Sequence, residues 1–253
     1  MVVTAARQLS GDDTCFVGIG TPSAACNLAR LTHAPDITLI YESGTIGTRP
    51  DVLPLSIGDG ELCETALTTV SVPEMFQYWL QAGRISIGFL GAAQLDQYAN
   101  INTTVIGDYQ HPKVRLPGGG GAPEIASFCG EILVIMPHTA RALVPKVDFV
   151  TSFGFGSGGS DRADLGLDTK GPTLVITDLC IMRPDPESRK LTVVSLHPGV
   201  EKDQVRESTG WEVTFAHDLG ETPPPEKQEL DVLRDLMERT AKAHAPGKEG
   251  DEG

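Results

Sequence analysis

Between Thr14 and Glu42 the chain reads as strand, tight turn, helix, breaker and strand, and this unit restricts the fold more than any other stretch. Thr14 to Ile19 is a short apolar run suited to a buried strand. It leads into Gly18-Ile19-Gly20-Thr21-Pro22, where Thr21 is expected to cap a helix and Pro22 to be its first residue. That helix should run to about His33 and break at Pro35-Asp36. Ile37 to Tyr41 reads as the next buried strand, ending at Glu42. A strand–helix–strand unit of this kind implies an α/β fold, a mostly parallel sheet covered by helices on both faces. Ligands of such sheets sit at the carboxyl ends of the strands, where Glu42 falls.

The rest of the chain continues the alternation. Gly44 to Gly60 reads as a loop, and Ser71-Val72-Pro73-Glu74 as a capping box opening a helix to about Ala82. Ile85 to Leu90, Glu131 to Met136, Phe149 to Ser152, Leu174 to Asp178 and Leu191 to Leu196 are expected strands. Gly91 to Ala126 has little periodicity and is expected to be a long loop, which in a compact domain points to function. Glu226 to Ala243 has Leu230, Leu233, Leu236 and Met237 on one helical face. No internal repeat or linker is visible, so one domain is expected over 1–246, followed by a charged tail at 247–253.

Composition excludes several classes. The net charge of −14, without a Lys/Arg cluster, argues against nucleic acid and against an anionic membrane surface. No apolar run is long enough for a membrane span, and Met1 to Gly11 lacks the pattern of a signal peptide. Cys15, Cys26, Cys63, Cys129 and Cys180 are scattered and odd in number, which suits reduced thiols in the cytoplasm. The six histidines show no ligand spacing, so no metal is expected.

Three constellations carry candidate chemistry. Glu42 is followed by Ser43 and Gly44, small residues on a sharp turn that leave an acid open to a ligand. A carboxylate there can equally be a cap or an ion-pair partner. Gly18 and Gly20 with an acid further on imitate a dinucleotide fingerprint, but Ser23 stands where its third glycine should be. The run Gly118-Gly119-Gly120-Gly121 is either a flexible surface loop or a backbone that approaches a ligand closely and offers N–H donors to an oxyanion. It is not a nucleotide P-loop, because no Gly-Lys-Ser/Thr follows. Gln94 to Asn102 clusters amides, which serve turns or face a substrate carboxylate or carbonyl.

Taken together, these runs resemble the β subunit of the glutaconate-type class I CoA-transferases. The resemblance rests on Tyr41-Glu42-Ser43-Gly44, on Ala93 to Asn102, on Ile106 to Lys113 and on the glycine run at 118–121. Val147 to Ser152 and Gly171-Pro172 to Thr177-Asp178 extend it. It implies a fold of the sugar-isomerase/CoA-transferase-like type. Glu42 would be the catalytic residue, and Gly120 and Gly121 would help form the oxyanion hole. Asn102, Gln94 and Ser43 would contact substrate. Coenzyme A would be a substrate rather than a bound cofactor. An acyl-CoA donor, a carboxylic-acid acceptor and a homologous α subunit would be the partners. Ala99 departs from the family, where glycine is common.

Two other readings stand beside transfer. Some relatives are CoA-thioester hydrolases or enoyl-CoA decarboxylases, and in those the glutamate is typically replaced, whereas Glu42 is kept here. A non-catalytic ligand-sensing domain is the third reading, and the lack of a helix-turn-helix pattern argues against it.

Overall fold

The strand–helix–strand unit forms the first parallel crossover of the computed structural model, which describes residues 1–245. The expected tail at 247–253 lies outside them. Val2–Ala6 (α1) precedes Thr14–Phe16 (β1), and Thr21–Leu31 (α2) crosses over to Thr38–Ile40 (β2). β1 and β2 are parallel, with Thr14 opposite Thr38 and Phe16 opposite Ile40. The cap of α2 is Gly20 rather than Thr21. Gly20 has φ 80, a conformation that glycine adopts at no steric cost, so the helix begins one residue early.

The expected loop after Gly44 contains Thr45–Ile46 (β3), which folds back antiparallel on β2, and then Gly60–Glu64 (α3) and Thr68–Thr69 (β4). Ser71 caps Val72–Glu74 (α4), its hydroxyl accepting the Glu74 N–H at 3.3 Å. Met75–Leu80 then continues as a π-helical segment. Ile87–Leu90 (β5) follows.

The expected long loop at 91–126 is instead two antiparallel ribbons and a helix. Gln94–Leu95 (β6) pairs with Ile101–Asn102 (β7), and Val105–Gly107 (β8) with Pro112–Arg115 (β9), before Ala122–Phe128 (α5). Strands of two to four residues are too short to show a period, which is why they are invisible to pattern reading. Glu131–Ile135 (β10) forms as expected, but Phe149–Ser152 is not a strand. Only Ser152 makes a bridge, to Ile101.

Asp161–Asp164 (α6), Pro172–Ile176 (β11), Cys180–Pro184 (β12), Leu191–Leu196 (β13), Lys202–Glu207 (α7), Thr214–Glu221 (β14) and Lys227–Ala243 (α8) complete the order. β14 carries charged and half-exposed residues throughout, as edge strands do, and so has no apolar alternation to read.

The main sheet runs β14-β13-β12-β11-β10-β5-β1-β2-β3-β4. Its centre, β11-β10-β5-β1-β2, is parallel throughout. Alternate residues of these strands feed two separate cores. Cys15, Leu39, Phe89, Leu133 and Ile176 pack with α1 and α2 on one face, while Phe16, Ile40, Leu90, Val134 and Val175 pack with Met75, Leu80, Leu95 and Ile125 on the other. Of the apolar face expected on α8, Leu236 is buried with Leu233 packed beside it, but Met237 is 50 % exposed and faces away; Arg7 of the α1 C-cap donates to Glu229 at 2.7 Å from both Nε and an Nη. Among the described residues no helix is long and apolar enough to cross a membrane.

Arg162 fastens the α5 end of the second layer. It is 5 % exposed and donates to the carbonyls of Phe153, Gly154, Ala126 and Thr169 and to the Thr169 hydroxyl at 2.6 to 3.3 Å. Burial pushes its guanidinium down to about 10. Arg162→Met leaves these carbonyls unpaired in the interior, so we expect a loss of about 2–3 kcal/mol, read as a lower urea midpoint at unchanged slope.

Candidate active site

Glu42 stands at the tip of the β2–β3 hairpin. Tyr41 is fully buried and anchors its base, with its hydroxyl 2.9 Å from the Ser23 hydroxyl on α2. The Gly44 N–H donates to the Tyr41 carbonyl at 2.9 Å, so Glu42 and Ser43 are the two central residues of a tight turn. Gly44 has φ 102, and a Cβ there would stand 2.0 Å from the Val70 carbonyl oxygen. Only glycine lets the chain reverse at this point and pair with β4. A half-buried carboxylate thus projects past the carboxyl end of a parallel strand, as the sequence predicted.

The glycine run comes back to meet it. The Gly121 N–H donates to Glu42 Oε1 at 2.9 Å, across 79 positions of sequence. Gly118 and Gly120 have φ 98 and 50 and turn the loop, while Gly121 itself has φ −84. Gly121 is glycine for a different reason. A Cβ on it would lie 2.4 Å from Glu42 Oε1 and 2.5 Å from Phe76 Cζ. The run is therefore not a slack surface loop; its backbone approaches a carboxylate that no side chain would let it reach.

Both segments open on a cleft of about 540 Å³. The ends of the parallel strands form its floor, through Phe16, Phe89, Leu90 and Ile135. Thr21 and Pro22 of α2 stand on one side and Gly118 to Gly121 on the other. Such a site offers a carboxylate nucleophile, a backbone N–H on one of its oxygens and an apolar surround that weakens competition from water. A cleft of about 800 Å³ between α6 and the β11–β12 region does not contain Glu42.

Two of the expected substrate contacts are engaged elsewhere. Asn102 is fully buried; its amide donates to Gln94 Oε1 at 2.7 Å and to the Val105 carbonyl at 2.6 Å, and its oxygen accepts from the N–H groups of Thr104 and Val105. Gln94 is buried too, donating to Asp148 at 3.0 Å and accepting from the Asp148 N–H. Neither lines the cleft; their neighbours Ala93 and Thr103 do. With their hydrogen bonds filled internally, these amides fix the ribbon. Ser43 adjoins Glu42, and its Oγ is buried with no hydrogen-bond partner among the described residues. Asp96 accepts from the Tyr98 and Asn100 N–H groups and from the Asn100 amide, shaping the turn that holds Ala99 at φ 57.

Sequence reading missed Phe16, Phe89 and Phe76. The first two sit at strand ends, where position alone could have suggested them. Phe76 could not be found, because a π-helical segment breaks the helical period that would have placed it.

The molecule matches known proteins over most of its length. A sequence model of the family described as coenzyme A transferase fits residues 1–208. The β subunit of 3-oxoadipate CoA-transferase from Pseudomonas knackmussii is 59% identical over 252 residues, covering 100% of this chain and 96% of that protein. The β subunit of glutaconate CoA-transferase from Acidaminococcus fermentans is 35% identical over 243 residues, covering 93% of this chain and 90% of that protein. The crystal structure of the Acidaminococcus fermentans glutaconate coenzyme A-transferase superposes with a TM-score of 0.89 at 31% identity, covering 97% of this chain and 96% of that one. Matches of this length and similarity, on a fold that brings a glutamate to the mouth of the cleft, show that the chain belongs to the coenzyme A transferase family.

Proposed function

We propose that this chain is the β subunit of a two-subunit enzyme that moves coenzyme A between carboxylic acids through a thioester on Glu42. The observation that carries the reading is the 2.9 Å bond from the Gly121 N–H to Glu42 Oε1. It holds one oxygen and leaves Oε2 to attack. The proposed sequence begins with Oε2 adding to the donor thioester carbonyl, and CoA leaves as thiolate. A mixed anhydride remains, in which Oε1 is the glutamyl carbonyl oxygen. The thiolate then adds to the glutamyl carbon, Oε1 takes the developing charge, and the donor acid leaves as carboxylate. The same N–H that held the carboxylate now stabilises the oxyanion, without reorganisation. The acceptor carboxylate runs these steps in reverse. Each transfer is a displacement at an acyl carbon, so the scheme needs neither a metal nor an acid–base pair.

The 59% identical relative is named for 3-oxoadipate, which makes 3-oxoadipate the first acid to try. That relative is itself one subunit of a larger transferase, which supports an α partner for this chain. Leu67, Val72 and Tyr78, on and beside the β4–α4 segment, are 82 %, 49 % and 62 % exposed, which suits burial against a partner. Five free cysteines, four of them buried, suit the cytoplasm.

The test is mass spectrometry of the chain complexed with its α partner, incubated with 3-oxoadipyl-CoA and treated with borohydride. We expect the side chain of Glu42 to be reduced to the alcohol only when the thioester is present. Consumption of 3-oxoadipyl-CoA with Glu42 untouched would refute the covalent scheme.

A further inference from the structure

The Met75–Leu80 segment is π-helical, with bonds such as that from the Gln81 N–H to the Phe76 carbonyl at 2.8 Å. Such segments are rare, and they place side chains where an α-helix would not. Phe76 is the second residue of this segment. The point that a Gly121 Cβ would occupy lies 2.5 Å from Phe76 Cζ, 2.8 Å from its Cε1 and 2.4 Å from Glu42 Oε1. The ring edge and the carboxylate oxygen therefore meet over one glycine. Phe76 also packs against Phe16 of the cleft, with ring centroids 6.0 Å apart at 58°. Gln81 at the end of the π segment donates to Glu124 of α5 at 2.8 Å, tying the segment to the helix that carries Gly121. The π segment and the glycine run are thus joined at both ends of one wall.

We infer that Phe76 is a positioning residue that seats the Gly121 N–H on Glu42 and keeps water from the acylated side chain. The inference rests on the covalent role proposed for Glu42. A glutamyl thioester is open to hydrolysis: water adds to the Glu42 carbonyl carbon, the carbon–sulfur bond breaks, CoA leaves as thiolate and takes up one of the two protons water gives up, the other passes to solvent, and the carboxylate is restored. The acid acceptor is then bypassed. A transferase must make this step slower than attack by the acceptor carboxylate. The Phe76 ring edge has no hydrogen-bonding group to hold a water and stands against Gly121 on the side where Glu42 Oε1 lies.

The experiment uses the complex with the α partner and compares wild type, Phe76→Leu and Phe76→Ala. CoA transfer to 3-oxoadipate and CoA release from acyl-CoA without acceptor are both measured, together with melting curves and borohydride labelling of Glu42. We expect the ratio of hydrolysis to transfer to rise on the order of tenfold in Phe76→Ala, with Phe76→Leu between it and wild type. Equal falls in both rates, at an unchanged ratio in the two variants, would reduce Phe76 to packing and overturn the inference. If Phe76→Ala fails to fold, the ratio in Phe76→Leu decides alone. An unlabelled Glu42 in the wild type refutes the covalent step, and this inference with it. A labelled wild type with an unchanged ratio in the variants refutes only the role of Phe76.

Discussion

Glu42→Gln is expected to abolish CoA transfer while leaving the fold and the association with the α partner intact. The amide has the same length and nearly the same volume as the carboxylate, and its oxygen can still accept the Gly121 N–H that Glu42 Oε1 accepts at 2.9 Å. Tyr41 beneath and Gly44 beyond are untouched, so the hairpin has no reason to move. What is lost is the negative charge and with it the nucleophile. Removal of a covalent nucleophile costs about 10⁴-fold or more in turnover, because the steps around it cannot proceed by another route in the same site. Steady-state transfer by the assembled complex, with a melting curve as control, measures this. Turnover within tenfold of wild type would sink the assignment of Glu42.

Gly121→Ala is the second large effect, and its cause is different. At φ −84 the backbone accepts an L side chain without strain. The added methyl, however, falls 2.4 Å from Glu42 Oε1 and 2.5 Å from Phe76 Cζ, far inside van der Waals contact. Glu42 is a flexible side chain and swings aside, whereas the Phe76 ring is packed against Phe16 and the core, so its displacement costs roughly 1–3 kcal/mol. The carboxylate then leaves the N–H that holds it. Loss of one such donor, together with misplacement of the nucleophile, amounts to about 10²–10³-fold in kcat. Gly120→Ala is the control. Its Cβ would lie 3.9 Å from Glu42 Oε1, an ordinary contact, but its φ of 50 makes an L residue cost roughly 1–2 kcal/mol. Both variants should lose some stability, but Gly121→Ala should lose far more activity than Gly120→Ala, because only its methyl displaces the Glu42 carboxylate. Equal kcat values for Gly121→Ala and wild type would show that the 2.9 Å bond has no part in the reaction.

The element that carries Glu42 was legible because its signals are local. An apolar run, a Gly-Thr-Pro start, a Pro break and a second apolar run each act over a few residues, and together they required a parallel crossover ending at Glu42. The same holds for β10, β11, β13 and α8, each long enough to show its period. The glycine run was legible only as a choice between a slack loop and a close approach, since composition is the same in both. The two-residue strands of the ribbons, the charged edge strand β14 and the π segment were not legible, because hydrogen bonds to distant partners define them rather than apolar spacing. The amides of Gln94 and Asn102 were legible as a polar cluster, but only the fold shows that their hydrogen bonds go to the ribbon. By itself, then, the sequence determined that a glutamate ends a parallel strand on a tight turn. That Gly121 and Phe76 converge on its carboxylate was decided only by the sheet order β2-β1-β5-β10. That order brings residues 79 positions apart to one end of the sheet, and long-range pairing of this kind leaves no local trace in the chain.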